Sequence, residues 1–337
     1  MPDCWLCSNL FIATTLVAQK QEMSEYRKSI KENKDGLTTQ EIQNQLTLGK
    51  ETEAKMDVQI LQQPAVDPWN SEKGGTDGNY GYHLAYNSSV NGAFAKVTYT
   101  NLKNSYYVDA DGNKHQIIKI VRTFSDLTRS TSTASINWTK ERASYEGTTS
   151  DNAEKTILSI NSIPTNGAMF FNASGVTVSD LYYDKDGNRL SVKDGYIVMS
   201  SLNNNGKGDV ESAKGLSGQT PKTFIGSSVY VQSDGSLQAN GDNSYYLHDS
   251  THSEYNNWDS ANSDKFYWGA GLLKINNDGA NVIRFNVSNT LGNNPEDALN
   301  SYWFTISTIL PTTANPTSSV DYHYNVSLAN RLNSLIT

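Results

Sequence analysis

The sequence predicts an all-β fold, a large antiparallel sandwich, and three observations carry that prediction. From Ala93 onward, runs rich in β-branched and aromatic residues recur, among them AFAKVTYTNL, IIKIVRTF, VTVSDLYY and NVIRFNV. Clusters of Asn, Gly, Asp and Ser separate them as turns. No alternation of strand and helix patterns follows, which argues against a doubly wound α/β fold and for stacked antiparallel sheets.

A chain of 337 residues can bury a substantial core. Its hydrophobic share is only 36%, but nineteen tyrosines add large apolar faces whose hydroxyls can stay wet. The net charge of −8 is spread along the chain, so the average field repels anionic polymers. Both cysteines, Cys4 and Cys7, fall in the first seven residues, which rules out a zinc quartet and a disulfide staple in the body.

Taken in order, residues 1–18 contain LFIATTLVA, as long as a signal core but preceded by no Lys or Arg. They read as a fragment start or a degenerate signal. Nothing here is long enough to enter a membrane as a span. Residues 19–35, ending in Asp35 before Gly36, are helix formers with Met23, Tyr26 and Ile30 at helical spacing, a short stalk-like helix. Residues 36–311 form the β domain. It opens with two short strands at Leu46/Leu48 and Met56/Val58/Ile60 and a long loop from Pro64 to Gly81. Val97/Tyr99 and Ile118/Ile120 mark the next strands, with Asp111-Gly112 between them as a type I′ hairpin signal. TILSI, GAMFFNA, GYIVMSSL, KTFIGSSVYV, FYWGAGLLKI and SYWFTISTIL supply the rest. Residues 312–337 are a Pro-, Thr-, Ser- and Asn-rich linker or tail. LPTTA at its head is no sorting signal, since no apolar segment and basic tail follow.

The segment YNNWDSANSDKFYWGAG (Tyr255 to Gly271) packs rings and acids into one irregular stretch. Rings can stack on the apolar faces of a sugar while carboxylates and amides hold its hydroxyls. The same composition suits a core plug, and both readings stand at this level. DADGN and DKDGN begin like calcium loops, but Gly stands fourth and the bidentate Glu is missing, so they read as turns. HDSTH lacks the Glu of a zinc-protease helix. Glu254, Asp259 and Asp264 could pair as glycosidase carboxylates, as could the acids of almost any loop. No catalytic motif is present, and the chain is read as non-enzymatic.

YTNLKNSYY followed by IIKIV, and WDSANSDKFYWGAG, resemble the signatures of the streptococcal antigen I/II variable region and glucan-binding protein C surface adhesins. LYYDKDGNRL and SLNN are similar to further stretches of that family, and the resemblance covers about Asp35 to Pro311. The order Tyr267-Trp268 is swapped relative to the family.

The resemblance implies a lectin-like β-supersandwich with a cleft over one side, on a Gram-positive cell surface and active in adherence and biofilm. The parent would be a longer wall-anchored protein whose anchor lies outside this chain. It implies a glycan, either a glucan or a host glycoprotein sugar, as partner. Extracellular DNA and a host-protein face are the alternatives, with Lys96, Lys103, Lys119, Arg122 and Lys274 as the cations a DNA groove would need. The resemblance places Trp258, Asp259, Tyr267 and Trp268 near the cleft. Stacking falls to Trp258 with Tyr267 or Trp268, hydrogen bonding to Asp259, Asn257 and Asp264, and Tyr255 completes the set. No cofactor is required, and a structural calcium is left open.

Overall fold

The computed structural model describes residues 36–71, 81–130, 154–204, 209–240, 243, 258–259, 263, 265–276, 279–288 and 301–313. Both the helix expected at 19–35 and the apolar stretch before it lie outside these residues, as does most of the tail.

Two sheets form the sandwich. The larger runs β15 (Val229–Val231), β16 (Leu237–Ala239), β13 (Val210–Gly215), β18 (Asn281–Ser288), β11 (Ala173–Tyr183), β8 (Lys119–Arg129), β5 (Val90–Thr100) and β2 (Lys55–Ile60). The smaller runs β19 (Ser301–Phe304), β10 (Ala168–Phe171), β9 (Thr156–Asn161), β4 (Gly81–Tyr86) and β3 (Trp69–Ser71). Two three-stranded sheets flank them: β12 (Lys193–Met199), β17 (Gly271–Asn276) and β14 (Thr220–Thr223), and β1 (Leu46–Thr47), β6 (Tyr106–Val108) and β7 (Lys114–Gln116). Neighbours in all four sheets pair antiparallel, as the turn-rich sequence requires.

Period two puts alternate residues inward. On β11, Val176, Val178 and Tyr182 face the core, and on β8 so do Ile120 and Phe124. The two sheets meet through rings: Phe285 of the large sheet stacks on Phe304 of the small one, centroids 3.9 Å apart and 13° between planes. Burying each such ring contributes about 1.5–3 kcal/mol.

The same alternation brings Arg122 and Asp180 inside, directly opposite each other on β8 and β11. Nε and Nη2 of Arg122 donate to the two carboxylate oxygens at 2.8 Å, and Nη1 donates to the Pro164 carbonyl at 2.9 Å. That third bond reaches the 3-10 turn Pro164–Asn166 between β9 and β10, so one guanidinium ties the two sheets together.

Several local expectations need correcting. Ile118 is exposed because β8 begins at Lys119, so it does not share the buried face of Ile120. The Asp111-Gly112 and Asp186-Gly187 hairpins are not type I′, since only the glycines have positive φ (84° and 81°). Instead the Oδ1 atoms of Asp109 and Asp184 accept backbone N–H bonds two and four residues on, building longer loops that close with a left-handed glycine. FYWG is a 3-10 turn, Phe266–Gly269, and the strand starts only at Gly271.

The two ends of the domain are clasped. Thr39 Oγ1 donates to the Pro311 carbonyl at 2.5 Å, while the Thr39 and Thr313 N–H groups each donate to the other residue's hydroxyl oxygen at 3.3 and 3.2 Å. Leu37 makes a parallel bridge to Phe224, held by Leu37 N to Thr223 O at 2.8 Å and Ile225 N to Leu37 O at 3.0 Å.

Candidate functional site

Of the seven residues expected at the cleft, Tyr255, Asn257 and Asp264 lie outside the described residues. Trp258 and Tyr267 are sealed, Trp258 at 1% exposure, while Asp259 and Trp268 are partly exposed. Tyr267 packs with Ile42, Val198, Phe224, Ala270 and Leu272 in a small cluster of its own. The rings expected to stack on a ligand therefore point two ways, and two of them are closed off from water.

Glycine chemistry explains the plug. A β-carbon on Gly269 would lie 2.0 Å from Cζ3 of Trp258, so the indole occupies the volume any larger residue would need. The turn that carries Gly269 is tied down by hydroxyls and amides. Ser228 N and Oγ and Ser227 Oγ all donate to the Trp268 carbonyl, at 2.9, 2.6 and 3.1 Å. Leu202 N donates to Gly269 O at 2.9 Å, and Asn243 Nδ2 donates to Leu202 O at 2.9 Å.

Beside the plug lies a polar cluster that the sequence reading did not assign. Asp259 Oδ2 accepts from Ser201 Oγ at 3.1 Å and from Asn203 Nδ2 at 3.2 Å. The same amide donates to Glu211 Oε2 at 3.2 Å, and Asn203 N reaches that oxygen at 2.9 Å. One carboxamide thus holds two acids, one from β13 and one from the loop. Glu211 is partly exposed as a residue, and its Oε2 is taken up by the Asn203 side-chain and backbone N–H groups. Burial pushes both carboxyls up, Glu211 well above its ordinary value, with the Asp259 charge adding to it. Ser201 is held at φ 58°, a left-handed conformation that serine keeps only where its surroundings impose it. Trp258 Nε1 and Asp259 Oδ1 are buried with no hydrogen-bond partner among the described residues. The SLNN stretch was the available signal: it sits at the end of β12, where an irregular polar run leaves a sheet.

This arrangement can hold hydroxyls or share a proton. Among the described residues no three His, Cys, Asp or Glu side chains converge as cation ligands.

The sequence profile of the family described as glucan-binding protein C matches residues 29–307. The chain belongs to this family. Its fold is similar to that of the glucan-binding protein C of Streptococcus mutans, at 17% identity and a TM-score of 0.56, over 89% of this chain and 87% of that one. It is also similar to the adhesin domain of PrgB from Enterococcus faecalis bound to DNA, at 17% identity and a TM-score of 0.56, over 83% and 100%. The same domain solved without DNA gives 17% and 0.54, over 80% and 91%. Family membership and the antiparallel sandwich agree with the resemblance seen in the sequence, and the chain is an adhesin-family protein.

The DNA groove expected from sequence is not assembled as expected. Arg122 is in the core, Lys103 is paired with Glu53, and Lys274 is paired with Asp194 at 2.7 Å. Lys96 and Lys119 sit on β5 and β8, with the Lys119 ammonium over the Tyr183 ring.

Proposed function

We propose that this domain is a non-enzymatic adhesin module, displayed outside a Gram-positive cell, that binds a neutral glycan beside the Trp258 plug. The observation that carries the reading is the cluster of Ser201, Asn203, Glu211 and Asp259, in which Asp259 Oδ1 is buried with no hydrogen-bond partner among the described residues. Asp259 and Trp268 are both partly exposed, and in this reading a sugar hydroxyl meets the acid and a sugar face meets the ring. The Streptococcus mutans relative is a glucan-binding protein reported to mediate adherence, and a glucan is the ligand class taken forward here. Weak single sites would be multiplied by many copies on one cell.

Immobilised dextran is the test. Asp259→Ala and Asn203→Ala should abolish retention without changing the melting temperature by more than a few degrees. If both variants are retained like the wild type, the cluster is not the site. Trp258→Ala is a poor probe, because it opens a cavity beside Gly269 and would report on folding. Running the column with EDTA asks separately whether a cation contributes.

A second reading, extracellular DNA, draws on the Enterococcus faecalis neighbour solved with DNA bound. The net charge of −8 and the neutralised lysines weigh against it.

A further inference from the structure

The outward face of the five-stranded sheet carries a row of side chains fixed by strand register. Trp303 lies opposite Met169, Met169 opposite Ser159, Ser159 opposite His83, and His83 opposite Trp69. With strands about 4.8 Å apart the row is roughly 19 Å long. At one end it is closed: His83 is buried and Trp69 stacks on it at 4.9 Å and 7°. The next row, Phe171, Ile157 and Ala85, is also buried. At the other end it is open, and Trp303 is 53% exposed.

An exposed tryptophan on an edge strand usually rotates freely, but this one does not. Its Nε1 donates to the Asn166 carbonyl at 2.8 Å, which fixes the indole against the turn Pro164–Asn166. Among the described residues the Asn166 carboxamide and the Thr165 and Ser159 hydroxyls have no hydrogen-bond partner, and all three residues are partly exposed. Across all five strands no Asp, Glu, Lys or Arg faces outward on this side. Burial lowers the pKa of His83 to about 4, so it too is neutral there.

We propose that Trp303 is a second glycan contact, a platform on which a pyranose ring of a neutral glucan stacks, with Asn166 and Thr165 beside it for hydroxyls. It rests on the glycan reading above and lies on the opposite face of β19 from the acidic cluster, toward which Tyr302 points. Three features select this occupant. A ring already held by a hydrogen bond loses no rotamer freedom on binding. Among the described residues the open apolar part of this face is one indole and a thioether, far less than a protein interface needs. A nucleic acid would need cations for its phosphates, and the five strands contribute none among the described residues of this face.

The test compares wild type, Trp303→Ala and Trp303→Tyr, as full chains, for dextran affinity by gel retardation. Removing the ring should weaken binding about tenfold, and tyrosine should restore most of it. Dextran should also protect Trp303 of the wild type from oxidation by N-bromosuccinimide, read by mass spectrometry. Wild-type binding with an unchanged Trp303→Ala would overturn this inference and leave the Asp259 cluster standing. No wild-type binding to any glucan would overturn both. Should the alanine variant fail to fold, the oxidation assay decides: an unprotected Trp303 in a dextran-bound wild type sinks the platform.

Discussion

Trp258 and Gly269 share one volume: the indole fills the place where a β-carbon of residue 269 would stand, 2.0 Å from Cζ3. The segment richest in rings is therefore built first as a plug, and its polar border is what meets water. Gly269→Ala forces the indole to move. It should cost about 1–3 kcal/mol of stability and shift Trp258 emission to the red. An unchanged melting curve and spectrum would show that the loop relaxes freely.

The shared amide of Asn203 gives a pH dependence with a definite sign. Glu211 and Asp259 both have native values above their ordinary 4.5 and 3.8. The folded state then holds protons that the unfolded chain releases, so this contribution is present at low pH and is lost as pH rises through the native values. As pH rises above the ordinary carboxylate range, wild type should lose more stability than Glu211→Gln, in which no charge can form at position 211. Parallel melting curves for the two proteins would count against an enclosed carboxyl.

Arg122 and Asp180 make a sharper test of the core. Asp180→Ala strands a buried guanidinium whose pKa is raised by its partner, and should cost about 3–5 kcal/mol. The double variant Arg122→Met, Asp180→Leu should recover much of that loss, because neither charge is then buried alone. Equal denaturation midpoints for single and double variants would mean the pair is not coupled.

Salt separates the two ligand classes. Dextran retention should hold from low to physiological salt, whereas duplex DNA retention, if any, should fall steeply. A steep loss of dextran retention would point to a charged contact that the neutral face of Trp303 does not provide.

Much of this was legible in the residues. In β2, KMDVQI alternates and is exposed and half-buried by turns. Ile120, Arg122 and Phe124 share one parity, as do Val178, Asp180 and Tyr182, so the period itself puts the ion pair inside, whereas charge alone suggests a surface groove for Arg122. Tyr302, Phe304 and Ile306 go inward, which leaves Trp303 outside by the same rule. The fate of Trp258 was not legible, because rings among acids have one composition whether they seal a loop or meet a sugar. Only the clearance at Gly269, a contact between distant atoms, decides it. The hairpin type was missed for a similar reason: the dipeptide Asp-Gly does not reveal that Asp109 Oδ1 will capture two backbone amides.

The clasp between Thr39 and Thr313 governs how a pull on the flanking chain is borne. Because the chain enters and leaves at one pole, tension between its ends meets the three threonine hydrogen bonds before it reaches the stacked sheets. Those bonds would open one after another at modest force, like a zip. While the clasp holds, a pull between the two ends leaves the faces bearing Asp259 and Trp303 off that path.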